Sequence, residues 1–193
     1  MIARWIMRKA TFNTPYRFGV LLIVTLAFLG VGWTEEETAH TYIGVKKCSM
    51  CHKSEKKGNQ LAVWEKSAHA RAFETLKSEK AIEYGRERGV ETPHEADACL
   101  KCHVTGHGEP AELFESGFVK EQGVQCESCH GAGGDYKSIK VMKDKDAAIA
   151  AGLVIPTAET CVACHNEESP GFTAFDYEEY LAKIAHPNPT KGE

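Results

Sequence analysis

Several features that define whole protein classes are scarce or absent in this sequence of 193 residues. It contains only 17 glycines and 7 prolines, and 42% of its residues are hydrophobic. These values exclude collagen-like, low-complexity and wholly disordered chains. No part of the chain shows the pattern of a strand-rich domain. The length predicts one domain or two small ones.

The sequence also lacks an apolar run long enough for an ordinary membrane span. The longest run, residues 18–32, has 15 residues, whereas a spanning helix needs about 20. It follows a basic stretch without acids, residues 1–17, and precedes three glutamates at 35–37. This layout predicts an export signal over residues 1–32, or alternatively an uncleaved N-terminal membrane anchor. Residues 33–193 are then expected in the periplasm or elsewhere outside the cytoplasm, including the cell exterior.

Removal of the leader makes the chain more acidic. Lysine and arginine fall from 23 to 19 against 27 acids, so the formal net charge goes from −4 to −8. Nucleic acid is therefore not expected as a partner.

No cysteine stands alone, because all eight occur in four C-x-x-C pairs, and a histidine follows every pair. Disulfides would explain an even count outside the cytoplasm, and zinc ribbons also use C-x-x-C. Neither disulfides nor zinc ribbons explain why a histidine follows every pair. C-x-x-C-H is typical of covalent haem c attachment, in which two thioethers hold the porphyrin and the histidine binds the iron. The predicted sites are Cys48/Cys51/His52, Cys99/Cys102/His103, Cys126/Cys129/His130 and Cys161/Cys164/His165.

Four haems leave roughly 40 residues of the mature chain for each, too few for separate globin-like cores. The haems must then form much of the apolar interior and pack near one another. We therefore predict a mainly α fold with short helices and long loops wrapped around four closely packed c-type haems.

Five histidines remain for the distal side of the irons. His69 lies beside an apolar helical pattern over residues 61–76. His186 follows a predicted helix that Asp176 caps and Pro187 stops. We predict that both are distal ligands, and His107, His94 and His40 are further candidates, His40 including for a neighbouring subunit. Of the four methionines only Met142 could serve as a ligand, so most irons should be bis-histidine or open, and of low potential.

The chain resembles the tetrahaem cytochrome c-554 family over nearly the whole mature region. A C-terminal helix bearing His186 belongs to the resemblance. The matching segments are residues 42–52 (YIGVKKCSMCH), 64–70 (WEKSAHA), 99–106 (CLKCHVTG), 123–133 (GVQCESCHGAG) and 161–165 (CVACH).

The resemblance implies that His69 is the distal ligand of the third haem and His186 that of the fourth. It also implies that the second haem lacks a protein distal ligand, although His94 or His107 could equally bind this iron. In the family the first haem takes its distal histidine from the segment after the third motif. Here that segment, residues 131–138, contains no histidine. His107, His94 or His40 must replace it, or the iron is open.

Members of this family carry electrons in the periplasm from multihaem enzymes. The haems of the family members stack in a way that resembles the haem stacking of those enzymes. The resemblance therefore implies an electron carrier with redox proteins as partners, rather than an enzyme. One alternative is a reductase of a small nitrogen species, such as nitric oxide, nitrite or hydroxylamine, at a five-coordinate haem. Another is a subunit of an extracellular cytochrome filament, and hence a homo-oligomer, linked through His40.

Overall fold

Short helices joined by loops make up residues 39–189, the part of the chain that this computed structural model describes. The leader predicted over 1–32 lies outside these residues. Within residues 39–189 no strand occurs, and an isolated parallel bridge joins Tyr42 to Phe114. The prediction of a mainly α fold with short helices is confirmed. The helices are α1 (Val45–His52), α2 (Gln60–Lys66), α3 (Ala72–Thr75), α4 (Glu79–Arg86), α5 (Asp97–His103), α6 (Cys126–His130), α7 (Ile139–Met142), α8 (Lys145–Ala150), α9 (Ala158–Val162) and α10 (Tyr177–Ile184).

The first three C-x-x-C-H motifs each lie on one helix, namely α1, α5 and α6. The fourth starts in the last turn of α9, and His165 follows the end of that helix. Residues three apart on a helix point to the same side. The helical turn therefore presents both thiols of a pair together, as the sequence pattern requires.

The single helix predicted around His69 is wrong, because the chain breaks at Ser67. α2 ends at Lys66, and Ser67 is extended, with φ −74° and ψ 162°. The backbone N–H and hydroxyl of Ser67 both donate to the carbonyl of Trp64, at 2.9 and 2.7 Å. Serine competes with helical hydrogen bonds in this way. His69 instead begins a 3₁₀ turn, His69–Arg71, which leads into α3.

The C-terminal helix begins as predicted, since the carboxylate of Asp176 accepts a hydrogen bond from the backbone N–H of Glu179 at 2.8 Å. It ends at Ile184, before Pro187. The periodicity of Tyr177, Tyr180, Leu181 and Ile184 predicts a buried face, but this face is only partly buried. Tyr180 is 37% exposed, and the other residues of that face are half-buried.

The apolar core of the polypeptide is small. It consists of Phe73 and Leu76 from the region of α3 packed against Leu100 and Val104 from the region of α5, with Cys99 at its edge. This core holds the second motif against the chain segment that carries His69. None of the helices between residues 39 and 189 is long and apolar enough to cross a membrane.

Candidate functional site

The thiol pairs of different motifs touch one another. The thiol of Cys48 in the first motif forms a hydrogen bond with that of Cys126 in the third. The thiol of Cys102 in the second motif does the same with that of Cys164 in the fourth. Burial, followed by the neighbouring Cys102, raises the pKa of Cys164 to about 12. The fold therefore brings the motifs together as two couples, first with third and second with fourth.

An electrostatic interaction also relates the third motif to the fourth. Burial, followed by the charges of Cys161 and Cys126, raises the pKa of the Cys129 thiol. Cys129 therefore lies near the fourth motif as well as within the third. The spatial order of the motifs is first, third, fourth, second, which differs from their order in the sequence.

No disulfide joins any two of the eight cysteines, all of which lie within residues 39–189. Within residues 39–189 no three side chains of the types His, Cys, Asp or Glu converge into a cage for a metal ion. Each motif thus presents two unpaired thiols and its own histidine.

Two of the four motif histidines are oriented by backbone carbonyls. The Nδ1 atom of His103 lies 2.7 Å from the carbonyl oxygen of Ala72, and Nδ1 of His130 lies 3.3 Å from that of Val154. An Nδ1–H that donates to a carbonyl leaves Nε2 free for iron, the arrangement usual for metal-binding histidines.

Burial lowers the pKa of both His130 and His165. In His130 the charges of His186 and His52 add to that effect, and the hydrogen bond to Val154 opposes it. Burial therefore favours neutral imidazole, the form that binds metals.

Two histidines outside the motifs face motif histidines at a distance that suits a shared iron. The ring centroids of His69 and His165 are 6.0 Å apart, and those of His130 and His186 are also 6.0 Å apart. The ring centroids of two imidazoles on opposite sides of one metal ion are expected about 6 Å apart, because each metal–nitrogen bond is about 2 Å and the radius of each ring adds about 1 Å. Both pairs therefore fit a haem iron.

These pairings are the reverse of those that the family resemblance implies. His69 faces the fourth motif instead of the third, and His186 faces the third instead of the fourth. The 3₁₀ turn after Ser67 places His69 there, and the chain after α10 places the ring of His186 beside His130. The Nδ1 atom of His186 lies 2.7 Å from the carbonyl oxygen of Ile184, which leaves its Nε2 for metal.

His40 lies against the loops that follow the third motif. Its Nδ1 atom is 2.6 Å from a carboxylate oxygen of Asp135, inside the segment 131–138 that contains no histidine. Its ring packs on Gly152, where an added Cβ would lie 2.7 Å from the ring. His40 is therefore held by contacts instead of lying on a free arm, and its role as a distal ligand stays a prediction.

His94 and His107 both lie near the second motif. His94 is edge-on to Phe73, with ring centroids 6.5 Å apart. Nε2 of His107 lies 3.1 Å from a carboxylate oxygen of Asp97 at the start of α5. His107 also borders an open cavity of about 280 Å³. Neither ring is paired with a motif histidine in the contacts described above, and their ligand roles stay predictions.

Apolar side chains beside the motifs are exposed in the polypeptide. Met50 in the first motif is 65% exposed, and Val154 and Val162, beside the third and fourth motifs, are each 44% exposed. A porphyrin covers apolar surface of this kind. Together with the histidine pairs, these side chains show that the residues around the motifs fit haem.

A buried polar cluster that the sequence pattern does not reveal joins the first and third motifs. Glu127, inside the third motif, is 3% exposed. Its carboxylate accepts hydrogen bonds from the backbone N–H groups of Ile43, Gly44 and Gly133, at 2.9, 2.8 and 2.7 Å. These bonds attach the start of α1 to α6.

Gln125 and Thr105 extend this cluster. The side-chain oxygen of Gln125 accepts from the backbone N–H of Val45 at 3.1 Å, and its amide donates to the carbonyl of Val119 at 3.0 Å. The backbone N–H of Gln125 donates to the Thr105 hydroxyl at 2.7 Å. Polar residues next to a C-x-x-C-H motif give no sequence signal for burial, so only the fold identifies this cluster.

Comparison with known proteins gives two matches. The family described as "Cytochrome c554 and c-prime" matches residues 47–131, which contain the first three motifs. Cytochrome c-554 of Nitrosomonas europaea is 36% identical over 138 residues. That match covers 63% of this chain and 56% of the relative.

No solved structure matches the chain. The family match and the 36% identity agree with the motif pattern and with the mainly helical fold. They also imply haem c as the cofactor. The chain is therefore similar to cytochromes of the c-554 family over the residues that these matches cover, which is about half the length of the curated relative.

Proposed function

We propose that the chain is an electron-transfer protein outside the cytoplasm that passes electrons between redox proteins through four covalently bound, low-potential haems c. In this proposal the cysteines and histidines of the four motifs hold the haems. His69 and His165 bind the iron of the fourth haem, and His186 and His130 that of the third.

The observation that carries the proposal is the contact between thiols of different motifs. Cys48 touches Cys126, and Cys102 touches Cys164. Haems attached at touching thiols are close neighbours. The proposed path therefore runs from the first haem through the third and fourth to the second, and the protein's part is to hold the groups in this order and to exclude water from them.

The two histidine pairs favour a carrier over an enzyme at the third and fourth haems. An iron with histidine on both sides has no open position for a substrate. Its ligands do not change when the electron passes, which suits transfer of electrons alone.

The experiment is to produce the full chain in a host that attaches haem c, and to measure haem per chain, spin state and redox behaviour. Four haems per chain, at least two low-spin bis-histidine signals and reversible reduction without turnover of nitrite, hydroxylamine or nitric oxide are expected. Fewer than four haems would refute the tetrahaem proposal. Steady turnover of one of these nitrogen compounds would instead support the reductase alternative.

Electron microscopy of the same preparation tests the filament alternative. Discrete particles at high protein concentration are expected from a carrier. Filaments whose formation is lost in His40→Ala would contradict the carrier and support the alternative in which His40 serves a neighbouring subunit.

A further inference from the structure

Glu127 carries a buried negative charge at the contact between the first and third motifs. It lies between Cys126 and Cys129 in the sequence, and Cys126 touches Cys48 of the first motif. Its carboxylate is satisfied by three backbone N–H groups. Backbone N–H groups are donors without net charge, so these bonds stabilise the carboxylate without neutralising it.

The charge of Glu127 raises the pKa of tyrosines near both the first and the third motif. Burial raises the pKa of Tyr136, and the charge of Glu127 is the next largest cause. Burial, then Glu109 and then Glu127 raise the pKa of Tyr42, which precedes the first motif. The phenol of Tyr136 donates to the carbonyl of Gly131 at 2.7 Å and so does not donate to Glu127. The field of the carboxylate therefore extends across the contact between the two motifs.

We propose that Glu127 sets the reduction potentials of the first and third haems by lowering both. The proposal rests on haem attachment at these two motifs, which belongs to the proposed function. An oxidised haem carries one more positive charge than the reduced haem. A fixed negative charge nearby therefore stabilises the oxidised form. Because Glu127 is 3% exposed, solvent and salt screen this attraction weakly.

The deciding comparison is between Glu127→Gln, which removes the charge but keeps the length, and Glu127→Asp, which keeps the charge but shortens the side chain. One charge acting across roughly 10 Å at an effective dielectric constant of about 20 changes the equilibrium constant of haem reduction by about tenfold. For a one-electron couple a tenfold change is about 59 mV. We expect Glu127→Gln to raise two of the four potentials by about this amount, and Glu127→Asp to leave them near the wild-type values.

The potentials are measured by spectroelectrochemical titration of the purified holoprotein, after the absorbance spectrum has established that all haems are attached. Glu74→Gln is the matched control, because Glu74 is 69% exposed and pairs with Lys77. It removes the same charge at the surface and is expected to move no potential. A purely structural role for Glu127 predicts that Glu127→Asp disturbs the protein at least as much as Glu127→Gln.

Four unchanged potentials in Glu127→Gln, or equal shifts in Glu127→Gln and Glu127→Asp, would overturn the proposal. If Glu127→Gln does not acquire its haems, Gln125→Glu decides. It replaces an amide that donates to the carbonyl of Val119 by a carboxyl that must lose its proton to carry charge, so the potentials are compared with those of the wild type at pH 7 and pH 9. Two potentials should be lower at pH 9, whereas no lowering would overturn the proposal. A failure of the proposed function is seen separately, as a low haem count or as substrate turnover in the wild-type protein.

Discussion

His69 has an environment that disfavours its protonated form. Burial, followed by the charge of His165, lowers its pKa below the ordinary value of 6.5. The unfolded chain therefore binds more protons than the folded chain as the pH falls through about 6.5, and the folded state loses stability there. In the holoprotein the proposed bond of His69 to iron also excludes a proton from its ring, so the direction is the same. We expect the free energy of unfolding of the holoprotein to decrease from pH 7.5 to 5.5, and to decrease less steeply in His69→Ala. Denaturant titrations at several pH values measure both slopes, and equal slopes would contradict the assignment.

The pairing of His69 with His165 makes a second prediction for single residues. His69→Ala should convert one low-spin haem into a high-spin haem, because one iron loses its distal ligand. Removal of the fourth attachment site by Cys161→Ser with Cys164→Ser should then abolish that high-spin signal.

Paramagnetic resonance spectra of the single and combined variants test this pairing. Arg71→Ala is the control, since Arg71 lies in the same 3₁₀ turn as His69 and is exposed, and it should leave the spin states unchanged. Persistence of the high-spin signal without the fourth site would mean that His69 binds the third haem, as the family resemblance implies.

At the scale of elements, the 3₁₀ turn that begins at His69 depends on close contact with Gly123. The backbone N–H of Val124 donates to the carbonyl of His69 at 3.1 Å. The indole N–H of Trp64 donates to the carbonyl of Val124 at 2.8 Å. Gly123 has φ +74°, and a Cβ there would lie 2.8 Å from the carbonyl oxygen of His69. A side chain at position 123 would therefore push against the segment that positions the His69 ring.

Gly123→Ala tests this contact against a matched glycine. Gly89 has φ +72°, and nothing lies within 4 Å of its added Cβ. Both substitutions place alanine at a positive φ, which costs roughly 1–3 kcal/mol, and Gly123→Ala should cost about 1–3 kcal/mol more because of the clash and of its ψ of −135°, a conformation that favours glycine. It should also increase the high-spin fraction, which Gly89→Ala should not do. Equal losses of unfolding free energy in the two variants would show that the residues around position 123 move to accommodate the added methyl group.

At the scale of the whole molecule, the contacts between motifs make neighbours of the first and third sites and of the second and fourth. Removal of the first haem by Cys48→Ser with Cys51→Ser should therefore shift the potential of the third haem more than that of the second. Removal of the second haem by Cys99→Ser with Cys102→Ser should shift mainly the reduction potential of the fourth haem. The physical reason is that the charge of one haem acts most strongly on its nearest neighbour.

Potentiometric titrations of the three-haem variants measure these couplings. Equal shifts of near and remote haems would contradict the spatial order, and a shift confined to sequence neighbours would indicate the order of the motifs along the chain instead.

The sequence predicts some features of the fold and not others. The cap of α10 is predictable because an aspartate bonds to backbone three residues away, which is local chemistry. The break at Ser67 is not, since the apolar spacing of residues 61–76 continues across it and Ser67 hydrogen-bonds to Trp64 instead of continuing the helix. Glu127 is invisible in the sequence for a related reason. Its burial depends on Ile43 and Gly44, more than 80 residues away.

The sequence by itself determined the chemistry of this protein. A C-x-x-C-H motif is complete within five residues, so the candidate attachment thiols and motif histidines follow from local spacing. The tertiary structure alone decided which motifs touch, which motif histidines His69 and His186 face, and where the charge of Glu127 lies. These relations join residues far apart in the chain, and they depend on packing and hydrogen bonds that no local pattern encodes.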